Sequence, residues 1–136
     1  MFVVIFLCFF LVPRKLVPSG YSDTYLMFSR FNGEDYSVTQ EQGKEIIELL
    51  KDYRMQGSLT NPFFSNRDKT DIDLVFTFQD AAGVTRETRR ISIAHSENKI
   101  EAYLSYNPIK SILLRANGKV LNASELYEKI LKIIEQ

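Results

Sequence analysis

The chain has one cysteine, Cys8, one histidine, His95, and no tryptophan. A lone cysteine excludes an internal disulfide framework, and one His with one Cys cannot supply the usual nitrogen and sulfur ligands of a zinc site. A surplus of charge is also missing. Seventeen basic residues balance seventeen acidic ones, so no general field draws in nucleic acid, an anionic membrane or an acidic substrate. No phosphate loop or nucleophile motif is present, and the acidic run from Asp68 to Asp73 lacks the glycine and the terminal glutamate of a calcium loop. Neither cofactor nor metal is expected. At 136 residues the chain is long enough to bury roughly two thirds of its unfolded surface as one domain without a covalent or metal staple.

What is present begins with a continuously apolar run, Met1 to Val12. It is too short to span roughly 30 Å of hydrocarbon and reads as the hydrophobic part of a secretory leader. The charge order is reversed, since no Lys or Arg precedes the run while Arg14 and Lys15 follow it. Cleavage after Ser19, with Val17 and Ser19 as the small residues, would give a mature chain beginning near Gly20. An uncleaved anchor and a buried N-terminal strand are the alternatives. Cys8 follows Leu7, not the small residue that lipid attachment wants. Residues 13–23, with Pro13, Pro18, Ser19 and Gly20, read as a linker, so 1–20 is leader and linker and 21–136 a single domain.

Within that domain, Thr24 to Phe31 suits a strand, and Asn32-Gly33 is a hairpin turn leading to a return strand at Tyr36 to Val38. Thr39 and Gln42 form a capping box for a helix over Gln40 to Arg54, whose Ile46, Ile47, Leu50 and Tyr53 make one apolar stripe. Gly43 inside it costs about 1 kcal/mol, which close packing on the sheet would offset. Residues 56–70 lack periodicity and read as a long loop carrying Phe63 and Phe64, which either pin the loop to the core or present an aromatic contact to a partner.

From Asp71 to Tyr106 three runs alternate with period two, giving a β-meander with turns at Asp80 to Gly83 and Ser96 to Lys99. The middle run contains a conflict, because Glu87 and Arg89 share the parity of Ile91 and Ile93. Either a bulge near Thr88 to Arg90 resets the parity, or the hairpin tip projects beyond the core. Asn107-Pro108 should end the third strand, and Asn117-Gly118 should turn a last hairpin. Asn122 then caps a C-terminal helix with Glu125 three residues on and Leu126, Ile130, Ile133 and Ile134 facing the core; the coincident Asn122-Ala123-Ser124 sequon is read as this cap.

Together these elements make an α+β domain in which an antiparallel sheet of about five or six strands carries two helices on one face, with the other face partly wet. His95, beside Ser96 and Glu97, has no evident partner to fix its tautomer for acid-base work. Arg86, Arg89 and Arg90 are the one basic cluster. They either pair across the hairpin with Asp71 and Asp73 or, with Phe63 and Phe64, form a partner-binding patch. The expected function is a non-catalytic binding module; the alternative is a small hydrolase using the carboxylates of Asp71, Asp73 and Glu87.

The element order, together with Glu125-Leu126-Tyr127-Glu128-Lys129-Ile130 and the Asn117-Gly118-Lys119 stretch, resembles small uncharacterised extracytoplasmic domains of Gram-positive bacteria over roughly Tyr25 to Ile134. The resemblance implies no activity. It implies secretion only; an envelope or extracellular protein is the expected partner, the balanced charge argues against nucleic acid, and the membrane is met only through the N-terminal segment if that stays uncleaved.

Overall fold

A computed structural model describes residues 3–4, 12–18, 20–58, 70–96, 99–109 and 114–135. Its strands are β1 (Arg14–Lys15), β2 (Asp23–Phe31), β3 (Glu34–Asp35), β4 (Arg54–Ser58), β5 (Ile72–Gln79), β6 (Thr85–Ser96), β7 (Lys99–Ile109) and β8 (Leu114–Val120), and its described long helices are α1 (Gln40–Leu50) and α2 (Ala123–Ile134). All strand pairs are antiparallel, in one open sheet of order β1-β4-β8-β7-β6-β5-β2-β3. The class is the expected α+β with an antiparallel sheet. Among the described residues the strand count rises from five or six to eight.

The extra strands come from segments read as irregular. Residues 14–15 of the supposed linker pair with Met55 and Arg54, and the start of the supposed long loop forms β4 against β8. Leu16 and Val17 follow β1 into the core at 0% and 5% exposure. The linker reading is therefore corrected at 14–17, where alternation was too short to register. Val3 is helical and exposed, as is Val4, so the apolar run is not a core strand at those positions.

Asn32-Gly33 turns the first hairpin with positive φ at both positions (52° and 82°), the requirement of a type I′ turn. The return strand is only two residues, Glu34–Asp35, in place of the expected Tyr36 to Val38. Ladder bonding beyond it is limited to Tyr36, whose amide donates to Ser29 O at 3.1 Å. The capping box forms as expected: Gln42 N donates to Thr39 Oγ1 at 3.1 Å and Thr39 N to Gln42 Oε1 at 3.0 Å. The other end of the Gln42 amide donates to the carbonyls of Ile133 (3.2 Å) and Ile134 (3.4 Å), so one side chain starts α1 and satisfies the end of α2. α1 stops at Leu50, four residues short of Arg54, because Arg54 is drawn into β4.

Two turn expectations fail for one reason. β7 runs through Asn107 and Pro108 to Ile109, with an irregularity after Tyr106, and β8 runs straight through Asn117 and Gly118. β8 is interior, between β7 and β4, and its tertiary pairing overrides the local turn preference. Gly118 leaves the space that the Met55 side chain occupies. A Cβ would stand 2.5 Å from Met55 Sδ, which lies over it from β4. Asn122 also differs, adopting the left-handed region (φ 57°) with no side-chain bond to the helix; the start of α2 is held by Leu126 N on Asn122 O at 3.1 Å.

α1 packs on β2, α2 on β7, and the helices touch each other. Between helices and sheet lie Ile46, Ile47 and Leu50 of α1, Leu126 and Ile130 of α2, and Ile72, Leu74, Phe76, Phe78, Ile91, Ile93, Ala102 and Leu104 of the meander. The other face of the sheet is polar yet buried at its centre. There the Asp73 carboxylate, 1% exposed, accepts from Ser92 Oγ (2.6 Å), Thr70 Oγ1 (2.9 Å) and Arg90 Nη2 (3.0 Å).

Ile130→Ala should lower stability by about 2 to 5 kcal/mol through a core cavity, and Gly118→Ala by about 1 to 3 kcal/mol through overpacking against Met55, whereas Lys132→Ala should stay within about 0.5 kcal/mol of wild type. Denaturant midpoints at constant m-value check the three. A Gly118→Ala midpoint equal to wild type would show that Met55 moves aside freely.

Candidate binding groove

The bulge that was to reset β6 sits earlier than expected. Phe78 faces Glu87 while Gln79 faces Thr85, so Arg86 is the extra residue and Glu87, Arg89, Ile91 and Ile93 keep one parity. Glu87 and Arg89 therefore lie on the core face, and both expected resolutions are corrected. Their side chains are only 13% and 9% exposed and are joined by Arg89 Nε to Glu87 Oε1 at 2.6 Å. Arg89 Nη1 donates to Leu16 O (2.9 Å) and Lys15 O (3.4 Å), and the guanidinium lies 4.5 Å from the Tyr106 ring centroid and 5.8 Å from that of Phe78. Tyr21 completes the group: its hydroxyl donates to Glu87 Oε2 at 2.9 Å and its ring stacks on Phe78 with centroids 5.0 Å apart. Burial, then the bond to Glu87, raises the Tyr21 pKa above its ordinary value, so the phenol remains a donor at neutral pH.

The arginine triplet is consequently divided by strand alternation. Arg86 is exposed and bonds Asp80 Oδ2 at 2.7 Å at the turn, Arg90 is on the polar face with Asp73, and Arg89 is inside. The cross-strand pairing expected with Asp73 is found for Arg90 alone. Phe63 and Phe64 lie outside the described residues. The three carboxylates of the hydrolase alternative do not converge either. Asp73 and Glu87 occupy opposite faces, each held by an arginine, and Asp71 Oδ2 accepts the His95 backbone amide at 2.5 Å. His95 is exposed, with its ring 5.4 Å from that of Tyr127. Among the described residues no three His, Cys, Asp or Glu side chains are grouped as a metal site would need, and no helix is long and apolar enough to cross a membrane.

Elsewhere a groove of about 560 Å³ lies between α1 and the first half of β2. One wall is Tyr21 to Leu26, and the other is Gln40, Gly43, Lys44, Ile47 and Glu48 of α1 with Lys51 at its C-cap, while Val38 and Thr39 also line it. Tyr21 joins this groove to the Glu87–Arg89 pair. Gly43 does not owe its presence to tight packing, since a Cβ would meet Val38 Cγ2 at 3.7 Å and Leu26 Cβ at 3.9 Å, ordinary contact distances. The expectation that close approach compensates for Gly43 is corrected; the missing side chain leaves room in the groove.

Sequence reasoning did not single out these residues. The usable signal was the unequal hairpin: nine residues of β2 precede Asn32, whereas only five, 34–38, separate Gly33 from the Thr39 cap, too few to pair with all of β2. No family model, curated protein or solved structure matches this chain.

Arg89→Ala should destabilise by about 3 to 5 kcal/mol, because Glu87 would remain buried without its cation. Arg86→Ala, which breaks an exposed pair, should cost at most about 1 kcal/mol. Similar losses in a urea titration of the two variants would contradict the division of the cluster.

Proposed function

We propose that the chain is a non-catalytic binding module acting outside the cytoplasm, with the α1–β2 groove as its binding surface and an envelope or extracellular protein as its partner. The observation that carries this reading is the groove itself. It is concave and mixed in lining, with apolar Leu26, Val38 and Ile47 among the polar Thr24, Thr39 and Gln40 and the charged Asp23, Lys44, Glu48 and Lys51, so it offers both apolar contact and polar selection to a ligand. The arginine hairpin supports it less, because each guanidinium is already paired with a carboxylate.

A photo-crosslinking amino acid at Lys44, in the groove, should trap a protein partner in the intact envelope. The same probe at Lys119, exposed on the opposite face of the sheet, should not. Gly43→Leu, which fills the groove, should lower the Lys44 yield roughly tenfold, the loss expected when about 1.4 kcal/mol of binding is removed. Equal trapping at both positions, or none, would remove the groove from the account.

The apolar run Phe2 to Leu11 supports export, and fractionation tests it. Processing after Ser19 would discard Leu16 and Val17, both in the core. Any mature N-terminus should therefore fall at or before Arg14. A chain lacking residues 1–19 should lose about 3 to 6 kcal/mol, the burial of two aliphatic side chains, Leu16 and Val17, as read from denaturation midpoints. A stable chain beginning at Gly20 would contradict this.

A further inference from the structure

Four consecutive residues of β2, Asp23 to Leu26, line the groove, together with Tyr21 and Ser22 just before the strand. Neighbours in a strand point to opposite faces, so a cavity over one face of β2 would be lined by alternate residues only. Lining by every residue in turn means that the groove opens on the edge of the strand. Among the described residues no strand covers that edge at Asp23 to Leu26: β2 is bonded to β5 from Asp23 onward, whereas on the other side β3 pairs with Arg30 and Phe31 and Tyr36 bonds Ser29. The amide of Thr24 is instead held by the carboxylate of Asp23, whose Oδ1 accepts from it at 2.9 Å in the way a peptide carbonyl would. An exposed strand edge is a template for another strand unless it is covered or blunted, and here the blunting is one side chain.

The opposite wall has matching dimensions. Gln40, Gly43, Lys44, Ile47, Glu48 and Lys51 recur at intervals of three and four, a single stripe along α1. The eleven steps from Gln40 to Lys51 extend about 16 Å, and the three strand steps from Asp23 to Leu26 about 10 Å, with Tyr21 and Ser22 lengthening that wall. A slot of that length takes five or six residues of extended chain. Of the two cations on the helix wall, Lys51 is bonded to Glu48 at 2.7 Å, whereas Lys44 has no ion pair among the described residues.

Resting on the reading of this groove as the binding surface, the geometry points to its occupant: an extended segment of another protein, added antiparallel or parallel as a further strand on the open edge of β2, with an acidic side chain of that segment meeting Lys44. Main-chain hydrogen bonds to the edge supply attraction, and the side chains turned toward α1 supply selection, Leu26, Val38 and Ile47 taking an apolar residue and Lys44 the carboxylate.

The test uses the purified full chain and a phage-displayed random heptapeptide library. Enriched peptides should carry Asp or Glu beside alternating β-branched or aromatic residues and no proline. A synthetic copy should slow amide exchange at Thr24 to Leu26, and N-methylation of its alternate amides should abolish that protection. Lys44→Glu should weaken binding roughly tenfold while Lys44→Arg retains it, as for one charge-assisted contact. No enrichment, equal binding of the N-methylated peptide, protection mapping away from β2, or protection of the same edge by dimerisation of the chain alone would each overturn strand addition. Trapping at Lys44 together with undiminished binding of the N-methylated peptide would leave the groove as a binding surface and refute the added strand.

Discussion

Arg89 stands on the core face of β6, 9% exposed, and the surrounding chain is arranged to satisfy it. A buried guanidinium needs both a counter-charge and hydrogen-bond acceptors, because its desolvation costs several kcal/mol. Glu87, two residues away on the same face, supplies the first; the carbonyls of Leu16 and Lys15 supply the second, with Tyr106 and Phe78 rings beside the cation. The consequence extends beyond the pair. Residues 14–17 are held at one edge of the sheet by β1 and by Leu16 N on Tyr53 O at 3.2 Å, and Arg89 bonds the same segment from the meander. Tyr21, bonded to Glu87, carries the constraint to the start of β2 at the other side. One ionic group thus ties the N-terminal segment, the meander and the groove wall together.

The same arrangement explains why the groove has its shape. Tyr21 is fixed by Phe78 and Glu87, β2 leaves it along β5, and α1 is placed over β2 by Ile46, Ile47 and Leu50 entering the core. Gln42 fixes the helix from its other end by bonding the last carbonyls of α2. Since the five residues 34–38 must both turn back from Gly33 and reach the Thr39 cap, they cannot run beside Asp23 to Leu26. The open edge follows from chain length. Its surface remains polar enough to be solvated, with Asp23 on the Thr24 amide.

Legibility in the sequence followed the range of the forces involved. The capping box at Thr39, the Asn32-Gly33 turn and the alternation of β5 are local, and all three read correctly. Asn117-Gly118 looked equally local, yet its strand is decided by neighbours on both sides and by Met55 filling the space that Gly118 leaves. β1 and β4 were too short to show a period. The parity conflict at Glu87 and Arg89 was the most informative misreading: the alternation was right, and the assumption that a charge must leave the core was not, because two charges of opposite sign entered together. The groove was hidden because no motif marks it; it results from unequal hairpin arms and a helix beside the longer one.

The most direct test of this account is residue-resolved amide hydrogen exchange in wild type and in Arg89→Met, which keeps the bulk of the side chain and removes its charge and donors. If Arg89 ties the N-terminal segment to the meander, protection should fall at Leu16, whose amide bonds Tyr53 O, and at Ser22, whose amide bonds Gln79 O, while Ile91 and Ile93 in the middle of the sheet remain protected. Unchanged protection at Leu16 and Ser22, or an equal loss at all four sites, would contradict it.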